Sequence, residues 1–179
     1  MSNIDKVVRL RSPEPKDAKT IYKWENNTEN WQYGSSFAPV SLSKIENFIR
    51  HFNNDIFAEK QHRFMIDLYI TDMPPKTIGT IDLYDLDAIN RRVGVGILID
   101  EKYRNKGFAK QALNITIKYC KDVLNLVQVY CYIISDNESS INLFKSVGFS
   151  QSGLLKKWNI INSKPYDTVV MQLFLNEKI

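Results

Sequence analysis

Two cysteines and two histidines give this 179-residue chain little metal, disulfide or histidine-based chemistry to draw on. Cys120 falls in a helical pattern and Cys131 in a strand pattern, with no CxxC and no His-rich partner, so neither a disulfide framework nor a metal site is expected. Both read as reduced, half-buried structural thiols. His51 and His62 are isolated in sequence and read as surface or packing residues, and spacing alone assembles no Ser/His/Asp arrangement. No apolar run approaches the roughly 20 residues that span a bilayer. The opening residues MSNIDKVVRLRS carry no apolar h-region, so no secretory signal is expected and the chain is placed in the cytoplasm. There is no G-x-x-x-x-G-K-[ST] and no G-x-G-x-x-G, which excludes the P-loop and the dinucleotide fingerprint. Internal repeats, low-complexity tracts and linkers are also missing. One domain over residues 1–179 is expected, long enough for a sizeable core.

What the chain does have is an ordinary globular mixture, 44% hydrophobic and 25% charged, with a net charge of +4 that is unevenly placed. Lys102, Arg104, Lys106, Lys110, Lys118 and Lys121 fall in one stretch without an acidic residue, and the rest of the chain carries 18 basic against 20 acidic residues. A local basic excess suits one anionic ligand better than a nucleic acid-coating surface, and no nucleic-acid partner is expected. A solvated helix face would have the same composition.

Periodicity gives the element order β, α, α, β, β, β, α, β, α, β, β. A strand, Val7–Arg11, precedes a helix that begins near Pro15 and carries Ala18, Ile21, Tyr22 and Trp24. Ser43 and Glu46 have capping-box spacing ahead of Ile45, Phe48, Ile49 and Phe52. Three strands follow. His62–Tyr69 is closed by Thr-Asp-Met-Pro-Pro. Thr77–Tyr84 alternates, with Asp82 and Tyr84 on one face, and Arg92–Ile99 is nearly continuously apolar, with a distortion expected at a glycine. A helix from Gly107 to Cys120, a buried strand Gln128–Ile134, a short helix Glu138–Val147 and a hairpin of Leu154–Ile161 with Tyr166–Leu175 complete the chain. These make a mixed α+β fold, an antiparallel meander within a sheet covered by helices on both faces.

The densest chemical signal lies where the strand ending at Ile99 runs through Arg104-Asn105-Lys106-Gly107-Phe108-Ala109 into an amphipathic helix. First-turn N–H groups have no internal partner, and the helix dipole favours an anion there. Gly107 and Ala109 keep bulk away, so a diphosphate can approach the backbone, while Arg104 and Lys106 add positive charge. A basic loop capping a helix would read the same way. About thirty residues on, the buried strand ends at Ser135-Asp136-Asn137-Glu138-Ser139-Ser140-Ile141-Asn142-Leu143-Phe144-Lys145-Ser146-Val147-Gly148-Phe149.

In order, separation and strand–loop–helix setting, this pair of segments resembles the two acetyl-CoA motifs of GNAT N-acetyltransferases, R/Q-x-x-G-x-G/A and N-x-x-[SA]-x-x-[LF]-[YF]-x-x-x-G-F. Leu10-Arg11 with Asp17-Ala18 looks like the family's opening, and Ile78-Gly79-Thr80-Ile81 like its G-x-[IV] strand. The resemblance implies acetyl-CoA as cosubstrate and a mostly antiparallel sheet splayed between two parallel strands. Backbone amides of Asn105 to Ala109, Phe108 included, would hold the pyrophosphate, and Ile97, Leu98 and Ile99 would offer strand backbone to the pantetheine arm. Asn137 would bond the pantetheine region and Lys145 would reach the phosphates. Asn137 is also a good helix N-cap.

Direct transfer to a neutral amine requires a proton acceptor, donors for the tetrahedral oxyanion and a proton for the thiolate. Many family members place a tyrosine acid where this chain has Phe144, so the acid would be Ser140, Ser139, Tyr132 or Tyr103, a water, or no group at all. Asp82 and Tyr84 share a face beside the expected acetyl position, with Asp85 and Asp87 just beyond. A carboxylate there would deprotonate the amine through water, attract a cation, or simply face outward. The N-terminal half looks most similar to the spermidine/diamine and ribosomal-protein N-terminal branches. It therefore implies a small polyamine-like amine or a peptide N-terminus as acceptor, and a homo-oligomer as assembly. Glu25-Asn26-Asn27 favours the polyamine branch, whereas Ser35-Ser36-Phe37 stands where that branch carries an acidic pair. Trp24, Trp31, Tyr33 and Phe37 are candidates for an apolar lid or groove near the acceptor, with core packing as the competing role for at least half of them. A non-catalytic acyl-CoA-binding domain is the remaining alternative.

Overall fold

The computed structural model describes residues 6–31, 38–51 and 55–175. Tyr33, Ser35, Ser36, Phe37 and Phe52 lie outside the described residues. Among those described, seven strands form one sheet in the order β1-β2-β3-β4-β5-β7-β6. They are β1 (Lys6–Arg11), β2 (His62–Ile70), β3 (Met73–Asp87), β4 (Arg92–Ile99), β5 (Gln128–Ile134), β6 (Ser150–Ile161) and β7 (Lys164–Phe174). Every neighbouring pair is antiparallel except β4 and β5. The helices are α1 (Ala18–Glu25), α2 (Thr28–Trp31), α3 (Leu42–Arg50), α4 (Ile56–Glu59), α5 (Phe108–Asp122) and α6 (Glu138–Lys145). The mixed α+β reading therefore holds, with two four-residue helices added.

Two buried layers sandwich the sheet. Strand residues such as Ile66, Ile78, Ile81, Leu83, Val93 and Val129 pack with Leu113 and Ala112 of α5, while Ala18, Ile21 and Trp24 of α1 pack with Ile45 and Ile49 of α3 over Met65. Alternation along β3 carries out the expected division, with Ile81 and Leu83 in the core and Asp82 and Tyr84 on the opposite face.

Several local expectations need correcting. Ser41, not Ser43, caps α3, its hydroxyl accepting from the Lys44 amide at 3.2 Å. The Pro74-Pro75 pair does not close a strand. The chain reverses over Thr71-Asp72, with Ile70 opposite Met73, and both prolines fall inside β3 at a register shift where they owe no ladder hydrogen bond. The distortion near β4 lies across the ladder from it, between Tyr84 and Asp87, where Asp85 adopts φ 50°. β6 begins at Ser150, four residues before the expected Leu154, and turns into β7 over Asn162 and Ser163, both left-handed, as a two-residue hairpin favours. Cys120 and Cys131 are fully rather than half buried, and burial pushes both thiols up to about 12. The opening motif is structural. Arg11 bonds the buried Asp17 at 2.6 Å, Asp67 at 2.6 Å and Thr77 at 3.1 Å, fastening β1 to the start of α1. Among the described residues no helix is long and apolar enough to cross a membrane.

Candidate active site

β4 and β5 pair only at Arg92–Gln128, Val93–Val129 and Gly94–Tyr130, although both strands continue past those positions. Beyond Gly94 the partner of β4 departs, and Gly96, Ile97 and Leu98 become half-exposed where Val93, Gly94 and Val95 are buried. The splay leaves backbone polar groups of both strands facing an opening instead of a neighbour. Tyr84 fills its closed end. A Cβ built on Gly94 would lie 2.2 Å from the Tyr84 ring, so only glycine lets that ring lie across β4. Tyr84 meets Tyr130 edge-on at 6.1 Å, and Tyr130 meets Tyr132 at 5.6 Å, making an aromatic row along the splay. Burial raises the Tyr84 phenol well above its ordinary range and the Tyr130 phenol to about 12, so both hold their protons at neutral pH.

The splay opens into a cleft of about 1470 Å³, beyond the roughly 300–1,000 Å³ typical of a single-ligand pocket. At one end stand Ile97, Leu98, Ile99, the loop Arg104 to Gly107 and the first turn of α5. Asn105 and Gly107 are both left-handed, at φ 59° and 80°, and Gly107 is the N-cap of α5. A Cβ at Gly107 would meet no atom within 4 Å, so the bare first-turn amides face open space. The 15-residue α5 points its positive end here, with Arg104, Lys106 and Lys110 around it. Arg104 is tethered, its Nε donating to the Ile99 carbonyl at 3.0 Å, and Lys106 Nζ donates to the Lys102 carbonyl at 2.7 Å. These residues fit a diphosphate-bearing cosubstrate.

Asn137 caps α6, accepting from the Ser140 amide at 3.1 Å, and it also lines the cleft. Ser139 and Ser140 line the cleft as well. Lys145 is not brought in. It is exposed at the far end of α6 and does not line the cleft. Phe144 is 3% exposed and packs edge-on to Phe149 at 5.0 Å, which makes its ring part of the core.

The other end is walled by Glu25 of α1, Glu29 and Trp31 of α2, Lys44 and Phe48 of α3, His62 and Arg63 of β2, and Asp82 of β3. Arg63, which sequence reasoning passed over, organises it. Its Nε and Nη2 donate to the two oxygens of Asp82 at 2.6 and 3.1 Å, and Nη1 donates to Glu25 at 2.7 Å. Arg63 and Asp82 occupy opposed positions on β2 and β3, a cross-strand relation visible in sequence only once the register is known. Asp85 is exposed outside the cleft, and Asp87 is spent on Asn90 and Arg92 in the turn before β4. Trp31 lines the cleft, its Nε1 donating to the Glu25 carbonyl at 2.6 Å. Trp24 is mostly core, although its Nε1 reaches Asp100 at 3.0 Å. Trp158, Asn159 and Thr168 of the β6–β7 hairpin, none of them expected, also line the cleft.

Residues 8–150 match the family model described as Acetyltransferase (GNAT) domain. The chain is 24% identical over 170 residues to the spermidine N(1)-acetyltransferase of Escherichia coli (strain K12), covering 95% of this chain and 87% of that one. It is 30% identical over 166 residues to the uncharacterized N-acetyltransferase YoaA of Bacillus subtilis (strain 168), covering 92% of this chain and 91% of that one. The fold matches a crystal structure of spermidine N-acetyltransferase from Vibrio cholerae in complex with CoA and spermine, with a TM-score of 0.83 at 24% identity over 94% of this chain and 95% of that one.

Proposed function

The chain belongs to the GNAT acetyltransferase family, with acetyl-CoA as its cosubstrate, and we propose that it transfers the acetyl group to a primary amine of a small polyamine-like molecule. The observation that carries this reading is one cleft with two chemistries, a cationic backbone cradle at one end and a carboxylate-bearing wall at the other, joined at the splay. Relatives that act on spermidine match nearly the full length of this chain.

Acetyl-CoA supplies the thioester. The first-turn amides of α5, from Phe108 onward, with Asn105, Lys106 and Arg104 beside them, bind the pyrophosphate. Ile97 to Ile99 offer unpaired strand backbone to the pantetheine arm. Tyr84 keeps its proton and donates a hydrogen bond to the oxygen that becomes negative as the amine attacks. Asp82 has both oxygens engaged by Arg63, so it attracts and orients the cationic acceptor while water carries away the amine proton. The leaving sulfur develops its charge near the N-terminal turn of α6, where the dipole stabilises an anion and the Ser140 hydroxyl is a donor. Phe144, buried against Phe149, takes no part.

The test is to mix the protein with acetyl-CoA and spermidine, putrescine and short peptides with free N-termini, measuring CoA release together with product mass. An acetyl gain on a polyamine supports the reading. A gain confined to peptides replaces the acceptor. Tight CoA binding without turnover of any amine points to a binding domain instead.

A further inference from the structure

Resting on the proposed acetyltransferase reading, we infer that Gly96 and Tyr84 form the acyl niche, and that the Tyr84 ring is the stop that restricts the donor to a two-carbon acyl group. With the pyrophosphate at the first turn of α5, the arm of the cosubstrate runs back along β4 from Ile99 toward Gly94, about 17 Å of strand. The acyl group, at the far end of that arm, arrives where β4 and β5 are still paired.

Tyr84 closes this end from β3. It stands opposite Gly94 in the β3–β4 ladder, and its ring lies over Gly94, where a Cβ would come within 2.2 Å. Gly94 and Tyr130, the last pair, do not line the cleft, whereas Tyr84 and Gly96 do, so the ring is the boundary. Gly96 sits two residues further on, on the same face as Gly94. A Cβ there would lie 3.8 Å from the ring, in ordinary contact, and among the described residues no other atom beyond its chain neighbours comes within 4 Å. The bare Gly96 backbone thus leaves room for one methyl group against the ring. A second carbon in that direction overlaps the ring. A longer chain has to turn out into the cleft, into the space where the attacking amine must stand.

The stop is held in place. Tyr84 rests edge-on against Tyr130 of β5. Burial raises its phenol pKa, and a hydrogen bond with the Tyr132 backbone offsets only part of the rise, so the neutral hydroxyl is anchored to the strand beyond the gap. A ring rooted in β3, fastened to β5 and seated over a β4 glycine cannot move aside for a larger acyl group without giving up these contacts.

The experiment measures, by calorimetry and with no amine present, the binding of CoA, acetyl-CoA, propionyl-CoA and butyryl-CoA to the wild type and to Gly96→Ala, Tyr84→Leu and Tyr84→Phe. The wild type is expected to bind acetyl-CoA about tenfold more tightly than butyryl-CoA, with propionyl-CoA between them. Gly96→Ala fills the niche with a methyl that the ring tolerates, so it should weaken acetyl-CoA about tenfold and leave CoA unmoved. Tyr84→Leu should bind butyryl-CoA as tightly as acetyl-CoA. Tyr84→Phe should keep the wild-type preference, because the ring and not the hydroxyl is the stop. Equal affinity of the wild type for the two-carbon and four-carbon donors, or an undiminished preference in Tyr84→Leu, overturns the inference. If Tyr84→Leu does not fold, Gly96→Ala decides: a loss shared equally by CoA and acetyl-CoA, or no loss at all, places the acyl group elsewhere. A wild type that binds no CoA species sinks the functional reading itself, an outcome distinct from binding that ignores the acyl group.

Discussion

The two ends of the cleft are made differently. The proposed donor end is a continuous piece of chain, from Ile97 through Gly107 into the first turn of α5, and it offers mainly backbone groups. The proposed acceptor end takes side chains from α1, α2, α3, β2 and β3, with Arg63 and Asp82 brought together across a ladder. A backbone cradle tolerates exchanges of the side chains around it and fails when its dihedral angles change. A side-chain wall depends on the packing of every element that contributes to it.

That contrast breaks down most visibly if the support of the acceptor wall can be removed without harm. Arg11→Met strands the buried carboxylates of Asp17 and Asp67 beneath α1. It should cost about 3 kcal/mol of stability, measured by urea unfolding at pH 7. The same network fixes an acid limit. Burial would raise the Asp17 pKa, but the Arg11 hydrogen bond and the Glu14 amide outweigh it and lower the folded-state value below the ordinary 3.8. This stabilisation is therefore complete above that ordinary value and is lost as pH falls through the lower folded-state value. The penalty of Arg11→Met should shrink as pH drops below about 4.

Second in size is the backbone of the donor end. Gly107→Val forces a β-branched residue to φ 80°, which costs about 1–2 kcal/mol or more. Acetyl-CoA binding measured by calorimetry should weaken roughly tenfold to thirtyfold, while the amine KM holds. An unchanged affinity would mean that the cradle is misplaced.

Asp82→Asn sharpens the other side. With both oxygens already held by Arg63, Asp82 serves as a charge and not as a proton acceptor, so the amine KM should rise about tenfold. The acid limb of the kcat/KM profile should stay where it is, and its disappearance would restore Asp82 as the base. The smallest effect belongs to Lys106→Ala, an exposed side chain whose loss should raise the acetyl-CoA KM about twofold to fivefold, less at high salt.

The same contrast explains what was legible in the sequence. The proposed donor end lies within about fifteen consecutive residues, and the helix-terminus physics of Gly107 depends on neighbours in the chain, so its geometry is legible locally. The period-2 pattern of β3 likewise assigned Asp82 and Tyr84 to one face. Arg63 was missed because its role needs the β2–β3 register, and a lone Arg in His62–Ile70 gives no local signal. Lys145 was credited with a phosphate because its helix carries the second motif, yet eight residues of α6 set it at the opposite end from the Asn137 cap. Ser43 lost the capping role to Ser41 because capping depends on where the helix starts, and that boundary is the least readable feature of a periodic pattern.

Only three residue pairs join β4 to β5, so the sheet has a seam. Mechanically, β1 to β4 form one slab and β5 to β7 another, riveted at Gly94–Tyr130 and bridged by α5. A molecule lodged in the seam replaces the strand pairing that is missing there and welds the slabs together. Amides of Val95 to Ile99 that face the gap should then exchange hydrogen quickly in the free protein and slowly once the seam is filled, making this stretch of β4 a clock for occupancy.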